Sequence, residues 1–306
     1  MSKFHGVIPP VLTPLTADGQ VDVASLERLV HHLVDAGVHG LFVLGSTGQV
    51  AYLTDAQRDL VVRTIVAASA GRVPVIVGAI DLTAARIAEQ ARRHQDAGAD
   101  AIVVTAPLYA LNDSGELERH FRAIAAAIDV PLFAYDIPVR VHAKLSVDLL
   151  VRLGREGVLA GVKDSSGDDV FFRRLVAANA AAGAPLALFS GHEIVVDAMA
   201  LLGADGVVPG LGNVDAAGYV RLWELARTGH WAEARLEQDR LAALFEIVFQ
   251  PNTCSGDAGG VGAFKVAAQA RGLIDTSTMP YPLKAITAAE AERIVAIVAA
   301  AGLLRN

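Results

Sequence analysis

Leu159-Ala160-Gly161-Val162 run into Lys163, and Asp164-Ser165-Ser166-Gly167 follow. A short apolar run ended by turn residues reads as a buried strand. Lys163 then stands at the strand's C-terminal end, where the backbone leaves the core. The chain has five lysines, Lys3, Lys144, Lys163, Lys265 and Lys284. Complete burial lowers a lysine pKa by ~3–5 units, and a neutral amine attacks a carbonyl to form a Schiff base. A lysine so placed can instead snorkel to the surface or pair with Asp164. Tyr135 ends another apolar run, Leu132-Phe133-Ala134-Tyr135. If the two strands are neighbours, about 4.8 Å apart, alternation turns Phe133 and Tyr135 one way and Gly161 and Lys163 likewise. The phenol then reaches a carbon bonded to the lysine nitrogen and can shuttle protons there.

These residues need a frame, and the chain repeats one. Eight short β-like runs recur: Gly6-Val7-Ile8, Gly40 to Leu44, Val75 to Gly78, Ala101 to Val104, Leu132 to Tyr135, Leu159 to Lys163, Leu186 to Phe189 and Gly206 to Val208. Helical segments rich in Ala, Leu, Arg and Glu lie between them, such as Ser25 to Ala36 and Thr83 to Ala97. Gly37, Gly98 and Gly203 sit where a helix must end left-handed before the next strand. Apolar strands alternating with helices mean a covered parallel sheet. Eight units favour a (β/α)8 TIM barrel. An open doubly wound sheet is the alternative, but Ile8-Pro9-Pro10-Val11-Leu12-Thr13-Pro14 is unlike its Gly-rich phosphate turn. From Val214 the pattern is helical only, so the chain divides into a barrel over 1–213 and a C-terminal helical extension over 214–306 packed on it.

Barrel active groups sit at C-terminal strand ends. Those ends carry Gly45-Ser46-Thr47-Gly48-Gln49, Thr105 to Tyr109, Tyr135-Asp136-Ile137-Pro138-Val139-Arg140, Lys163, Ser190-Gly191-His192-Glu193 and Pro209 to Asn213. The set Gly45-Ser46-Thr47-Gly48, Tyr135-Asp136-Ile137-Pro138 and Gly161-Val162-Lys163-Asp164 resembles the dihydrodipicolinate synthase/N-acetylneuraminate lyase family of pyruvate-dependent class I aldolases. The resemblance implies that Lys163 forms an imine with pyruvate or a related 2-oxo acid and that Tyr135 relays protons. It implies that Ser46 and Thr47 hold the carboxylate, with Thr47 bonded to Tyr135, and that a neighbouring subunit supplies Tyr109. It assigns Val208 a carbonyl facing the site, Arg140 a substrate carboxylate, and Gly191 a place among the substrate-binding positions. It further implies a homotetramer built of two dimers, aldehyde and 2-oxo acid substrates, and no metal or other cofactor beyond the imine on Lys163. The chain departs from the family at Gln49, where glutamate is usual, at Leu108-Tyr109, where two tyrosines are usual, and at Val141-His142-Ala143-Lys144, where Thr-Gly follows the arginine.

The remaining bounds are consistent with an enzyme of small molecules. The 306 residues are 53% hydrophobic and 19% charged, with formal net charge −7. The arginines are scattered, so nucleic acid is not an expected partner. The apolar run Ile294 to Leu304 is too short for a bilayer, the first residues lack a signal-peptide core, and the single Cys254 suits a reducing cytoplasm. No three spaced ligands suggest a zinc aldolase. Asp257-Ala258-Gly259-Gly260 reads as a helix-opening turn, Lys265 as structural, and His31-His32 as a surface pair. The expected activity joins pyruvate to an aldehyde, reverses that step, or dehydrates a 2-oxo-3-deoxy acid. Condensation of pyruvate with aspartate semialdehyde, giving 4-hydroxy-tetrahydrodipicolinate, is the alternative that Arg140 favours. A non-catalytic 2-oxo acid sensor on the same scaffold is a third.

Overall fold

Eight short parallel strands position everything that follows. The computed structural model describes residues 3–304. The strands are β1 (Gly6–Val7), β2 (Leu41–Val43), β3 (Val75–Gly78), β4 (Ala101–Thr105), β5 (Leu132–Asp136), β6 (Gly161–Asp164), β7 (Ala187–Ser190) and β8 (Gly206–Val207). Their order is β1-β8-β7-β6-β5-β4-β3-β2, and every pairing is parallel. Backbone bonds from His39 N to Val7 O (2.8 Å), Phe42 N to Pro9 O (3.0 Å) and Val11 N to Phe42 O (2.8 Å) join β1 to β2 and close the ring. The fold is therefore the expected (β/α)8 TIM barrel. Every strand residue is buried. That is why the strands read as apolar runs rather than as alternating ones.

The joints between helix and strand behave as anticipated. Gly37, Gly98 and Gly203 have φ of +86°, +100° and +102°, a backbone region that side chains with a Cβ avoid. Inside the ring, aromatic side chains fill the floor. Phe133 packs edge-on to Phe4, with ring centroids 5.2 Å apart, and lies 6.1 Å from Phe189. Gly161, paired with Phe133 across β5 and β6, leaves room for that ring. A Cβ there would stand 2.2 Å from Phe133 Cε1 and 2.5 Å from the Ala187 carbonyl.

Four helices follow β8: Ala216–Arg227, Trp231–Phe245, Gly256–Ala270 and Ala288–Ala300. The first runs against β1 and so takes the eighth place in the outer ring, although a division at residue 213 counts it with the extension. Trp231–Phe245 packs on Val196–Leu202, Ala288–Ala300 packs on Gly256–Ala270, and the segment after Gly256–Ala270 bonds the barrel. Arg28 Nε donates to Leu273 O at 3.0 Å, Asp275 N to Ser25 Oγ at 3.0 Å, and Thr276 Oγ1 to Leu15 O at 2.6 Å. Asp257 was expected in a turn that opens a helix. It lies inside the first turn of helix Gly256–Ala270, whose cap is Ser255.

Candidate active site

The register of β5 against β6 pairs Tyr135 with Lys163 directly. Both are nearly inaccessible, at 3% and 7% exposure. The Lys163 nitrogen lies 4.0 Å from the centroid of the Tyr135 ring and 4.5 Å from that of Phe42. It neither reaches the surface nor pairs with Asp164. The nearby ammonium of Lys144 takes that place: it bonds Asp136 and stands 4.0 Å from Asp164 Oδ1. Burial raises the pKa of both carboxyls above the ordinary range, against the pull of Lys144.

Burial alone would also push the Tyr135 phenol up. The Lys163 charge, with hydrogen bonds to Lys163, Ser46 and Ser165, outweighs burial and leaves the phenol below the ordinary tyrosine value. A phenol so tuned gives up its proton more readily, which is what a shuttle needs. The hydroxyls that help lower the phenol are those of Ser46 and Ser165. Ser165 belongs to the polar turn that follows Lys163. Gly191 makes room for it: a Cβ at 191 would stand 2.2 Å from Ser165 Oγ.

Tyr135 lines a cavity of about 400 Å³ together with Ser46, Thr47, Gln49, Arg140 and Glu193, among others, and Lys163 lies behind its ring. Its β2 wall is a tightly wound loop. Leu44 (φ +56°) and Gln49 (φ +59°) flank Gly45-Ser46-Thr47-Gly48. Non-glycine residues held left-handed mark a backbone that its surroundings over-determine. Gln49 N donates to Ser46 O at 3.0 Å, and Val50 N to Gly45 O at 3.4 Å. Gln49, which stands where the family's glutamate is usual, is 2% exposed.

Glu193 is a residue the sequence left without a role. Its Oε2 accepts from Leu211 N at 2.6 Å. Burial pushes its carboxyl up to about 7, although the Leu211 amide, the Lys163 charge and the Gly210 amide pull the other way. The only cue was its place just past the end of β7. His192, one residue earlier, turns aside to Asp169, 3.0 Å from Oδ1. Val208 is buried at the end of β8, and its amide bonds the Ser190 carbonyl at 2.9 Å.

Arg140 follows β5 in the short helix Pro138–Val141 and reaches the cavity mouth. There it forms an ion pair with Asp257, whose Oδ2 also accepts from Tyr52 Oη at 3.2 Å. Tyr109 stands apart from the cavity. It is 93% exposed, with φ +71°.

Among the described residues no helix is long and apolar enough to cross a membrane, and no three His, Cys, Asp or Glu side chains gather as a metal site would require.

The chain as a whole is similar to known proteins of one family. The model of the dihydrodipicolinate synthetase family matches residues 3–301. A 4-hydroxy-tetrahydrodipicolinate synthase of Gluconacetobacter diazotrophicus is 31% identical over 303 residues, 99% of each chain. One from Phenylobacterium zucineum is 35% identical over 248 residues, 80% of this chain and 82% of the relative. Among solved structures, YagE, a prophage protein of this family from E. coli K12 in complex with pyruvate, superposes with TM-score 0.92 at 27% identity, covering 99% of this chain and 100% of that one.

Proposed function

Since the chain belongs to the dihydrodipicolinate synthetase family, we propose that it is a pyruvate-dependent lyase of the class I aldolase type with Lys163 as its Schiff-base residue. The observation that carries this reading is the Lys163 nitrogen 4.0 Å from the ring of Tyr135, which lines a cavity large enough for small molecules. The Lys163 amine adds to the C2 ketone of pyruvate and water leaves, forming the imine. Loss of a C3 proton gives the enamine. The enamine carbon attacks an aldehyde carbon, the new alkoxide takes up a proton, and water releases a 4-hydroxy-2-oxo acid. Cleavage is the same sequence reversed. Tyr135 moves the protons, with the Ser46 and Ser165 hydroxyls next in line. The Ser46 and Thr47 amides hold the pyruvate carboxylate, since unpaired N–H groups at a turn bind anions well. Gly191 adds a further substrate-binding position, and Val208 turns its backbone carbonyl to the site. No step calls for a metal or a further cofactor.

The synthase reaction, with aspartate semialdehyde as acceptor, is the second reading. The names of the curated relatives favour it, and it needs the Arg140 guanidinium for the acceptor carboxylate. A homotetramer built of two dimers, with Tyr109 crossing to a partner's site, and a cytoplasmic location complete the proposal. Borohydride added with pyruvate tests it. One reduced pyruvate should map to the peptide carrying Lys163, and Lys163→Ala and Lys163→Arg should both abolish trapping, because a guanidinium does not deprotonate. Label on Lys144 with Lys163 untouched would end the assignment. Imine formation without turnover of any aldehyde would favour the sensor.

A further inference from the structure

The wall of the cavity carries an ion pair that the local sequence does not announce. Arg140, just past β5, and Asp257, in the first turn of helix Gly256–Ala270, are joined there. Tyr52 donates to the second oxygen of Asp257, so both carboxylate oxygens are held. Burial and the Asp257 charge raise the Tyr52 pKa above the ordinary tyrosine value, which keeps that phenol a donor. An acidic residue in a first helical turn is favoured by the helix dipole whatever it touches. Asp257, however, turns away from its own helix to two partners on other elements, and all three residues line the cavity.

Two consequences follow for a substrate entering above Lys163. The Arg140 charge is cancelled where an acceptor carboxylate would need it. If the guanidinium swung toward such a substrate, the Asp257 carboxylate would remain a few ångströms away and repel it. The walls around the pair are apolar, with Val141 beside Arg140 and Phe245, Val248, Val261, Phe264 and Leu283 from the C-terminal segment. A charged acceptor there gives up part of its water and gains no net counter-charge, which disfavours it against an uncharged one.

We propose that Asp257 sets the choice of second substrate: by holding Arg140 it makes the upper cavity a subsite for an uncharged, largely apolar aldehyde and disfavours one that carries a carboxylate. This rests on the Schiff-base reading above and departs from the aspartate semialdehyde alternative. Succinic semialdehyde and its methyl ester share a skeleton and differ in charge, so their kcat/KM values with pyruvate isolate the effect. The wild-type protein should prefer the ester by ten-fold or more. Asp257→Asn should raise the acid-to-ester ratio by ten-fold or more, and adding Arg140→Ala to that variant should cancel the rise. Borohydride trapping of pyruvate on Lys163 is run alongside. Absence of trapping in the wild type overturns the Schiff-base reading, and this proposal with it. Trapping together with a wild-type preference for the acid, no turnover of the ester, or an unchanged ratio in a folded Asp257→Asn variant overturns this proposal alone. The wild-type comparison stands even if the variants do not fold.

Discussion

Tyr135 and Lys163 face each other across one rung of the β5–β6 pairing, with the amine 4.0 Å from the phenol ring. Each shapes the other's environment. The ammonium, together with the hydrogen bonds around the phenol, outweighs burial and lowers the phenol pKa, and the phenol ring stands beside any carbon attached to the amine.

Tyr135→Phe removes one hydroxyl and little volume. Turnover should fall by on the order of 10²–10⁴ while the thermal transition stays near that of the wild type. Near-normal kcat in the variant would remove Tyr135 from proton transfer.

Tyr109 projects into solvent from a left-handed backbone position, with Leu111 also exposed close by. An exposed apolar patch of this kind suits an interface. If a partner's site uses Tyr109, mixing inactive Lys163→Ala and inactive Tyr109→Phe subunits should restore activity, up to about half the sites, in hybrid dimers. Hybrid dimers verified by mass that remain inactive would confine Tyr109 to its own chain.

Gly161→Ala tests the packing beneath the lysine. The added Cβ would meet the Phe133 ring and the Ala187 carbonyl, and the carbonyl belongs to the sheet and cannot swing aside. Overpacking of this sort costs about 1–3 kcal/mol, so the urea midpoint should drop with the slope unchanged. An unaltered midpoint would mean that the β5–β6 spacing yields easily.

Lys265 is wholly buried, and its ammonium donates to the Thr278 carbonyl at 2.8 Å. Burial lowers its pKa to about 7, well below the 10.5 of an unfolded lysine. Between those values the unfolded chain binds a proton that the folded chain lacks, so stability should rise with pH from about 7 toward 10.5. Lys265→Met should flatten that rise in denaturant midpoints measured at pH 6.5, 8 and 9.5. Equal slopes in both proteins would show that Lys265 titrates as an ordinary lysine. Lys265 should take no label from borohydride and pyruvate, because its nitrogen is held between the helix and the following loop, away from the cavity.

The barrel and the pairing of Tyr135 with Lys163 were legible in the sequence because the rules involved are local. Eight apolar runs separated by helical spacing mean a covered parallel sheet, and the period of two along a strand puts Phe133 with Tyr135 and Gly161 with Lys163. Glycines at Gly37, Gly98 and Gly203 mark the joints because a left-handed backbone excludes most other residues. The tertiary structure decided what those rules do not reach. Ser165 and Ser46 act on the phenol beside the Lys163 charge, because several hydroxyls of one chemistry crowd the strand ends and only packing selects among them. Glu193 is held by the Leu211 and Gly210 amides of the next strand's loop, and nothing in its own neighbourhood foretells that. Asp257 has the sequence signature of a helix start and nothing more. Its pairing with Arg140 joins the loop after β5 to a helix that folds back over the barrel mouth, a contact set by chain closure in space and not by spacing along the chain.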